Sequence, residues 1–390
     1  MSLFSGCGGF DLGFTTAGYR CISAFDADEI PLQVHRSNFG ELSHCRDLKA
    51  GLPISFANSE VDVLLAGPPC QGFSTAGKRD PNDPRNDLLI VPALVAAKIA
   101  PSVVIVENVL GVTAGKHRMY WEKLTQMLRD LCYRICELKC NAVDHGVPQD
   151  RRRLLLIAWN TGRDFQVKLP RLAGGVLANA LQNLSGAPNH SPEPLAARTV
   201  AWRIVNRVQP GQKLCNVRAG QRSVHTWEIP EVYGRTTKLE RQVLSSLLLL
   251  RRRSRLRDFG DADPVTASSL AAYLGMPVGT TLTSLISKRY VRRIGRRYDL
   301  VHTYNGKYRR LLLDKPSPTV DTRFGDHRYF VHPTEHRGFT VREAARLQGF
   351  PDDFLFTGSI AAQYRMIGNA VPPPLAKCVA SFVRDAILTK

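Results

Sequence analysis

The stretch LFSGCGGFDLGF, residues 3–14, is typical of a buried strand that turns through glycines into a helix. Gly6 and Gly8 let the backbone approach a ligand closely, and the first amides of the helix would point at that ligand. Acidic residues follow the next two strand positions, at Asp26 and Asp47, where a carboxylate can hold ribose hydroxyls. The chain has no Walker lysine motif. The pattern therefore predicts a nucleoside cofactor that is not a triphosphate.

Apolar runs continue this alternation of strand and helix along the first part of the chain. The runs cover residues 21–25, 61–66, 103–106 and 154–159, and helix-length segments cover 86–100 and 119–131. Such alternation predicts an α/β, Rossmann-like domain with a parallel sheet and helices on both of its faces. Ligands of these sheets bind beyond the carboxyl ends of the strands, so we expect the site in the loops there.

Three motifs place reactive side chains in those loops. AGPPCQGFS holds Cys70 behind two prolines, whose rings fix the direction of the thiol. VVIVENV ends a buried run with Glu107, where burial would favour the protonated acid and let it donate a proton. VPQDRRRLLLIA carries Arg151 and Arg153 on one face of an extended segment, where they could pair with Glu107 or grip a phosphate. The alternatives are an inert cysteine and an ion-paired structural glutamate.

The charge of the chain points to a polyanionic partner. It has 53 basic and 34 acidic residues in 390, a net charge of +19. Residues 238–310 alone carry 16 Lys and Arg against 5 Asp and Glu, about half of the excess. An uneven basic charge of this size favours a nucleic-acid partner.

The cysteines indicate a reducing compartment. Their number, nine, is odd, and they lack the spacing of a secreted disulfide framework. Cys132, Cys136 and Cys140 are not spaced as a paired metal motif, so we expect core packing and no metal site. No basic signal region and no run of 18 apolar residues is present. We expect a soluble bacterial protein of the cytoplasm, associated with the nucleoid when bound to DNA, with no membrane partner.

The chain becomes irregular after about residue 160, but one segment inside that region is regular. Residues 238–253 form a predicted helix, Thr266 is placed to cap a second over 267–274 that Gly275 closes, and 278–289 form a third. VRRIGRRYDL then indicates a strand, a tight turn and a strand. This order predicts a winged helix-turn-helix over 238–300; the alternative is a basic decoration that supports a larger domain.

Three regions follow from this reading. They are a catalytic domain over 1–159, a second domain over 160–330 that contains the winged-helix segment, and a return to the first domain over 331–390. The return is predicted from apolar residues at helical spacing, namely Leu375, Val379, Phe382, Val383 and Ile387.

Six motifs, in order, resemble those of the DNA (cytosine-5)-methyltransferases that use S-adenosylmethionine. LFSGCGGF is similar to the cofactor loop of that family, GPPCQGFS to the nucleophile loop, ENV to the base-binding motif and QDRRR to the supporting arginine motif. FTVREAARLQGFPDDF and GNAVPPPLA match the two C-terminal motifs. The resemblance covers most of the chain outside 160–313, a region whose place and size are similar to those of a target-recognition domain.

The resemblance implies a role for each matching residue. Cys70 would attack C6 of a flipped-out cytosine in a short duplex DNA sequence, and Glu107 would protonate or hydrogen-bond N3. Arg153 would contact the base region, and Arg151 would hold the loops of Cys70 and Glu107. The implied cofactor residues are Phe4, Gly6, Gly8, Gly9, Asp26 for the ribose, Asp47 for the adenine amino group, Pro68, Asn369 and Val371. The expected DNA contacts are Gln71, Ser74, Arg85, Arg289, Arg292, Arg293, Arg296 and Arg297, with residues 71–86 as a loop that closes over the base.

Some features depart from the family pattern. Ser2 stands where an acidic residue is common, and Asp26 replaces the usual glutamate, which puts cofactor affinity in question. The segment 238–300 is not a regular element of the family. The rival functions are an RNA cytosine-5 methyltransferase and a methyltransferase that doubles as a DNA-binding transcriptional regulator. A monomer is expected, with a restriction endonuclease of the same system as its possible partner.

Overall fold

The chain forms two compact units in the computed structural model. The structure describes residues 1–50, 61–69, 84–115, 118–162, 164, 166–253, 255–256 and 262–388, without the side chains of Ala50, Pro84 and Arg85. Unit 1 comprises Met1–Ser191, Leu313–Arg323 and Thr340–Lys390, and unit 2 comprises Pro192–Leu312 and Phe324–Phe339. The first unit is therefore assembled from three separate parts of the chain.

Both units contain helices and strands. The strands are β1 (Ser2–Leu3), β2 (Ala24–Asp26), β3 (Ser43–Cys45), β4 (Val63–Ala66), β5 (Val103–Asn108), β6 (Arg134–Asn141), β7 (Gln149–Asp150), β8 (Arg152–Trp159), β9 (Lys213–Leu214), β10 (Ser223–Val224), β11 (Val265–Thr266), β12 (Val291–Ile294), β13 (Arg297–Leu300), β14 (Arg309–Arg310), β15 (Ser317–Pro318) and β16 (Phe330–Val331). The α-helices are α1 (Gly9–Thr16), α2 (Glu29–Phe39), α3 (Val91–Ile99), α4 (Arg118–Asp130), α5 (Leu177–Ala180), α6 (Val200–Arg207), α7 (Pro230–Tyr233), α8 (Lys238–Arg253), α9 (Ala267–Leu274), α10 (Gly279–Ser287), α11 (Val341–Gln348), α12 (Ile360–Asn369) and α13 (Pro373–Phe382). The 3₁₀ turns are Leu48–Ala50, Pro84–Ile90, Leu110–Thr113, Ala142–Asp144 and Thr226–Glu228, and Val383–Leu388 is π-helical.

A seven-stranded sheet forms the centre of unit 1, in the order β3-β2-β1-β4-β5-β8-β6. The α/β prediction is confirmed, and β3, β2, β1, β4 and β5 are parallel. The prediction of a fully parallel sheet is wrong at β8, which runs antiparallel to β5, with Val103 opposite Trp159 and Asn108 opposite Leu154. A short connection joins β6 to β8, whereas parallel neighbours need a crossover of a dozen or more residues. An apolar run in the sequence indicates that a strand is buried, but it does not indicate the direction in which the strand runs.

The C-terminal helix covers the first domain, as its apolar spacing predicted. Leu375 and Val379 of α13 are fully buried in one cluster with Phe10 and Phe14 of α1. Gly13 permits this contact, because a Cβ there would lie 2.3 Å from the Cβ of Ala376. The predicted helices over 86–100 and 119–131 correspond to a 3₁₀ turn followed by α3, and to α4.

The boundaries of the two units differ from those that we placed in the sequence from its composition. Residues 160–191 belong to unit 1, because Leu172 exchanges backbone hydrogen bonds with Asp144 and Gly146, and the amide of Leu177 donates to the carbonyl of Lys315. Residues 313–323 return to unit 1 before the chain enters unit 2 again at Phe324. The irregular composition after residue 160 thus marks loops of the first unit as well as the start of the second.

Unit 2 contains the three predicted helices and the hairpin. Thr266 caps α9 by accepting a hydrogen bond from the amide of Ser269, and Gly275 ends it with φ at +68°. Strands β11, β13 and β12 form one antiparallel sheet, with Gly295 at +58° in the turn between β12 and β13. Within the described ranges, no single helix is long and apolar enough to cross a membrane; α9 and α10 pass that test only as a pair bent by 118°.

Candidate active site

A cavity of about 410 Å³ lies at the carboxyl ends of β1, β2, β4 and β5 in unit 1. The strand order reverses between β1 and β4, and ligands of open α/β sheets bind at such a reversal. The cavity brings together eleven of the residues predicted from the sequence, namely Phe4, Gly6, Gly9, Asp26, Asp47, Pro68, Glu107, Arg151, Arg153, Asn369 and Val371. Residues from both ends of the chain therefore meet in one site.

The glycine loop forms one wall of this cavity and orients Asp26. The amide of Gly6 donates to Asp26 Oδ2 at 2.9 Å, and the amide of Asp28 donates to Oδ1 at 3.0 Å. Burial raises the pKa of Asp26, although these two amide hydrogen bonds oppose the shift. The carboxylate is thus held in a fixed direction at the end of β2.

The glycines of the loop have different neighbours. Gly6 has φ at +55°, and a Cβ there would meet no atom within 4 Å. Gly9 faces the C-terminal segment, since its Cβ would lie 2.5 Å from the carbonyl oxygen of Val371. Gly8 was expected to line the cavity, but it does not. A Cβ added there would lie 2.4 Å from Phe39 Cε2, and its φ is +92°. Gly8 therefore allows close packing on α2.

Ser2, at the departure from the family pattern, contacts an acid beneath the loop. Its hydroxyl donates to Asp11 Oδ2 at 3.1 Å, and Asp11 is 3% exposed. A carboxylate at position 2 would lie against this acid, so the serine suits its neighbour. Asp11, Cys21 and His35 bring potential metal-ligand atoms within 4.8 Å of one another, a grouping that the sequence did not indicate. We assign it to packing beneath the loop.

Glu107 and Arg153 form an ion pair inside the cavity. They lie on the adjacent antiparallel strands β5 and β8, where Glu107 is opposite Leu155. Arg153 Nε lies 2.7 Å from Glu107 Oε1, and the side chains are only 12% and 11% exposed. The side-chain Nδ2 of Asn108 donates to the carbonyl of Pro68 at 3.3 Å, which joins β5 to the segment just before Cys70. The pairing expected from the motifs is thus present.

Arg151 supports the C-terminal wall of the cavity. Its guanidinium, in a residue 2% exposed, donates to the carbonyls of Val320 at 3.1 Å, Gly368 at 3.0 Å and Ala370 at 3.1 Å. The last two flank Asn369, which lines the cavity. These hydrogen bonds hold the GNAV segment; the family resemblance had pointed to the loops of Cys70 and Glu107.

Two buried glutamines, which the sequence analysis missed, extend this support. Gln149 is fully buried, donates to Gln348 Oε1 at 2.7 Å and accepts from the amide of Val320 at 2.8 Å. Gln348 donates to the carbonyl of Ala370 at 2.5 Å. Each belongs to a motif already identified, QDRRR and FTVREAARLQGFPDDF, and its place in that motif was the available signal.

Other residues of the cavity were also missed. Asp28, Arg46, Arg365 and Met366 line it, and Arg365 Nη2 lies 3.3 Å from Asp28 Oδ2. Asp28 and Arg46 stand within two residues of the predicted Asp26 and Asp47, which was a signal for both. Arg365 and Met366 belong to α12, more than 300 residues after Arg46, and no feature of the sequence indicated that they line the cavity.

The other predicted site residues are either outside the described residues or in unit 2. Cys70, Gln71 and Ser74 are outside the described residues, as is most of the loop over 71–86, and of Arg85 only the backbone is described. The hairpin arginines, at positions 289, 292, 293, 296 and 297, belong to unit 2.

Comparisons with known proteins agree with this geometry. A family model, C-5 cytosine-specific DNA methylase, matches residues 1–384. The chain is 30% identical to the Type II methyltransferase M.AplI of Arthrospira platensis, over 100% of this chain and 86% of that protein. It is 28% identical to the Type II methyltransferase M.DdeI of Desulfomicrobium norvegicum, over 97% and 87%. A solved structure from a prophage of E. coli, described as a DNA modification methyltransferase, matches with a TM-score of 0.58 at 22% identity, over 100% of this chain and 99% of that one.

Proposed function

The chain belongs to the C-5 cytosine-specific DNA methylase family, and from this premise we propose which of its residues carry out the methylation. It is a DNA (cytosine-5)-methyltransferase, of the kind found in restriction-modification systems. One observation carries the assignment of roles: the glycine loop, the Glu107–Arg153 pair and the GNAV segment line the same cavity.

The cavity suits S-adenosylmethionine. Its volume, about 410 Å³, lies within the range of sites for ligands of this size, and the open space beside Gly6 allows a ligand to approach the backbone. Asp26 would hold the ribose hydroxyls and Asp47 the adenine amino group. The remaining contacts would come from Phe4, Gly6, Gly9, Pro68, Asn369 and Val371. When bound, S-adenosylmethionine supplies an electrophilic methyl group on a sulfonium ion.

Cys70 is the proposed nucleophile. Its thiolate adds to C6 of the cytosine and forms a carbon–sulfur bond, which makes C5 nucleophilic towards the methyl group. Loss of the C5 proton then restores the ring and expels the thiolate. The target carbon cannot be reached inside a duplex, so the cytosine must be flipped out, and Gln71, Ser74 and Arg85 are the proposed contacts to the DNA around it.

Glu107 is the proposed partner of N3. Its carboxyl group lies at the end of β5, 2.7 Å from Arg153 Nε. With one oxygen held by Arg153, the other can bind a proton at N3 of the base, so that charge does not accumulate on the ring when Cys70 adds. A positioned group of this kind contributes roughly 10²–10⁴-fold to the rate. Arg153 orients the carboxylate, and Arg151 positions the opposite wall.

The finer features remain part of the proposal. The order of elements from α8 to β13 is helix, strand, two helices and two strands, which supports a winged helix-turn-helix. We further infer a cytoplasmic monomer that works beside a restriction endonuclease. An RNA substrate is not favoured, because the family and the Type II relatives are DNA methyltransferases.

The test is base-resolution mapping of cytosine methylation in a host that lacks methylation of its own. The native chain should methylate C5 within one short motif, and Cys70→Ala should leave the genome unmethylated at equal protein level. Cys132→Ala is the matched control, because that exposed cysteine follows α4 and lines no part of the cavity. Methylation by Cys70→Ala would refute the proposed nucleophile.

A further inference from the structure

Residues 238–300, here called the inserted module, pack around one hydrophobic core, which Cys215, Val217 and Trp227 of the preceding segment also enter. Leu244 and Leu247 of α8, Leu270 of α9 and Leu285 of α10 are fully buried in one cluster with the hairpin residue Leu300. The module is fixed to the preceding segment, since Tyr290 Oη donates to the carbonyl of Gly234 and Lys288 Nζ to that of Arg235. None of its described residues lines the cavity of unit 1.

The two central helices of the module have the geometry of a DNA-binding helix-turn-helix. Helices α9 and α10 cross at 118° and are joined by a short turn that starts at Gly275. Helix-turn-helix motifs cross at about 90–120° through a turn of three or four residues, and the second helix enters the major groove. In this module α10 holds that second position.

The exposed face of α10 is polar but uncharged. Thr280, Thr283 and Ser287 are exposed on it, beside Ile286 at 36%, while Leu282 and Leu285 face the core. The sequence from residue 276 to 287 contains no charged residue. Hydroxyl groups can bond to base edges, and an aliphatic group can contact the methyl group of thymine. Such a face suits readout of base pairs.

Exposed arginines flank this face. Arg289 follows α10, and Arg293, Arg296 and Arg297 lie on the hairpin; none forms an ion pair with a described residue. Asp299 is the sole acidic residue between positions 264 and 313, and it is 3% exposed. Glu240 and Asp263, the other described carboxylates of the module, are buried too. The described part of the module thus presents exposed arginines and no exposed carboxylate, which favours a polyanion over a protein partner.

Arg292 differs from the other hairpin arginines. Its Nη2 donates to Asp299 Oδ2 at 2.8 Å, and Asp299 also pairs with the buried Arg251 and with His302 at 3.3 Å. Burial opposes the charge of Asp299, yet these partners lower its pKa. Arg292 therefore joins the hairpin to α8, and the expectation that it contacts DNA does not suit its position.

We propose that the inserted module reads duplex DNA with α10 in the major groove, with phosphate contacts from Arg289, Arg293, Arg296 and Arg297, and that Arg292 is structural. The inference rests on the proposed function only in taking DNA as the substrate. It adds a second region of DNA contact to the one proposed around the flipped cytosine. An RNA duplex is a poor alternative, because its major groove is too deep and narrow for a helix.

The first test uses the full chain and a labelled duplex made only of A·T pairs, which offers no cytosine to the active site. Arg289→Ala with Arg296→Ala removes two arginines whose side chains make no hydrogen bond with a described residue. The slope of log affinity against log salt should become less steep by about 1.8, which is about 0.9 for each lost phosphate contact. Between 50 and 200 mM salt, the factor by which affinity falls should therefore be about 12 times smaller for the variant than for the native chain.

Arg20→Ala with Arg129→Ala is the matched control. Both arginines are exposed, and they lie before β2 and in the last turn of α4, at the edge of the sheet opposite the cavity. This control should keep the native salt slope. Arg292→Ala should also keep the native salt slope, but it should lower the melting temperature. Equal slopes for the two double variants, or equal competition by an RNA duplex, would overturn the proposal. Since no cytosine is present, a failure of methyl transfer would not affect this result.

The second test concerns base readout. Thr280→Val with Thr283→Val removes two exposed hydroxyl groups from α10 and keeps the shape of the side chains. In a selection from randomised duplexes, this variant should lose preference at part of the site that the native chain selects, with the salt slope unchanged. Selection of the same site with the same preference would show that α10 does not read bases.

Discussion

Replacement of Arg151 by methionine should destabilise unit 1 by about 3–6 kcal/mol. The side chain is 2% exposed and donates to the carbonyls of Val320, Gly368 and Ala370. Ala370 keeps the bond from Gln348, so two buried carbonyls lose this donor. Hydrogen bonds to charged groups contribute about 1.5–3 kcal/mol each, which gives the sum. Arg151→Lys retains the charge but places its donors on a single nitrogen, which can bond to one of these two carbonyls, and should cost about half as much.

The assay is urea unfolding followed by tryptophan fluorescence. Trp202 and Trp227 are first replaced by phenylalanine, so that the remaining tryptophans, at positions 121 and 159, report on unit 1 alone. Arg152→Met is the matched control: the neighbouring side chain is 69% exposed and should change stability by less than about 0.5 kcal/mol. A free energy of unfolding for Arg151→Met within about 1 kcal/mol of that control would refute the reasoning.

Three further predictions concern the site and the inserted module. Gly9→Ala should weaken binding of S-adenosylhomocysteine by about 5- to 160-fold in calorimetry, because its Cβ would lie 2.5 Å from the carbonyl of Val371 and overpacking costs about 1–3 kcal/mol. An unchanged affinity would contradict the close contact. Glu107→Gln should slow single-turnover methyl transfer roughly 10²–10⁴-fold, with DNA affinity as the control, and a rate within threefold of native would exclude a role at N3. The lowered pKa of Asp299 stabilises unit 2 above the unfolded value of about 3.9, and this contribution is lost as pH falls through the lower folded value. Asp299→Asn should therefore unfold more easily at pH 7 in calorimetry and flatten the decline in melting temperature towards acid; a native-like acid profile would argue against the linkage.

Local signals predicted much of this structure. Thr266 and Gly275 bound α9 as expected, and Gly295 forms the turn of the hairpin, because caps and turns depend on a few neighbouring residues. The acids at the ends of β2 and β5 reached the cavity for a similar reason, since parallel strands end at one edge of the sheet.

Features that depend on distant residues could not be predicted. The carbonyl partners of Arg151 lie 169 to 219 residues further along the chain, and nothing near the QDRRR motif indicates them. The direction of β8 was missed because burial on both faces produces the same apolar run in either direction. Arg292 and Arg296 look alike in the sequence, and their proposed roles differ only because Arg292 lies opposite Asp299 in the hairpin and bonds to it.

The hydrogen bond from Arg151 to Gly368 cannot form until most of the chain has been synthesised. The two residues are 217 positions apart, and a ribosome adds about 5–20 residues per second, so the arginine waits about 10–40 s for its partner. During that interval Phe10 and Phe14 lack the cover of α13. A product of premature termination would carry the proposed nucleophile, Cys70, and the proposed acid, Glu107, without the C-terminal wall of the cavity. Synthesis of the chain to near its end is therefore a condition for the first methylation of the host genome.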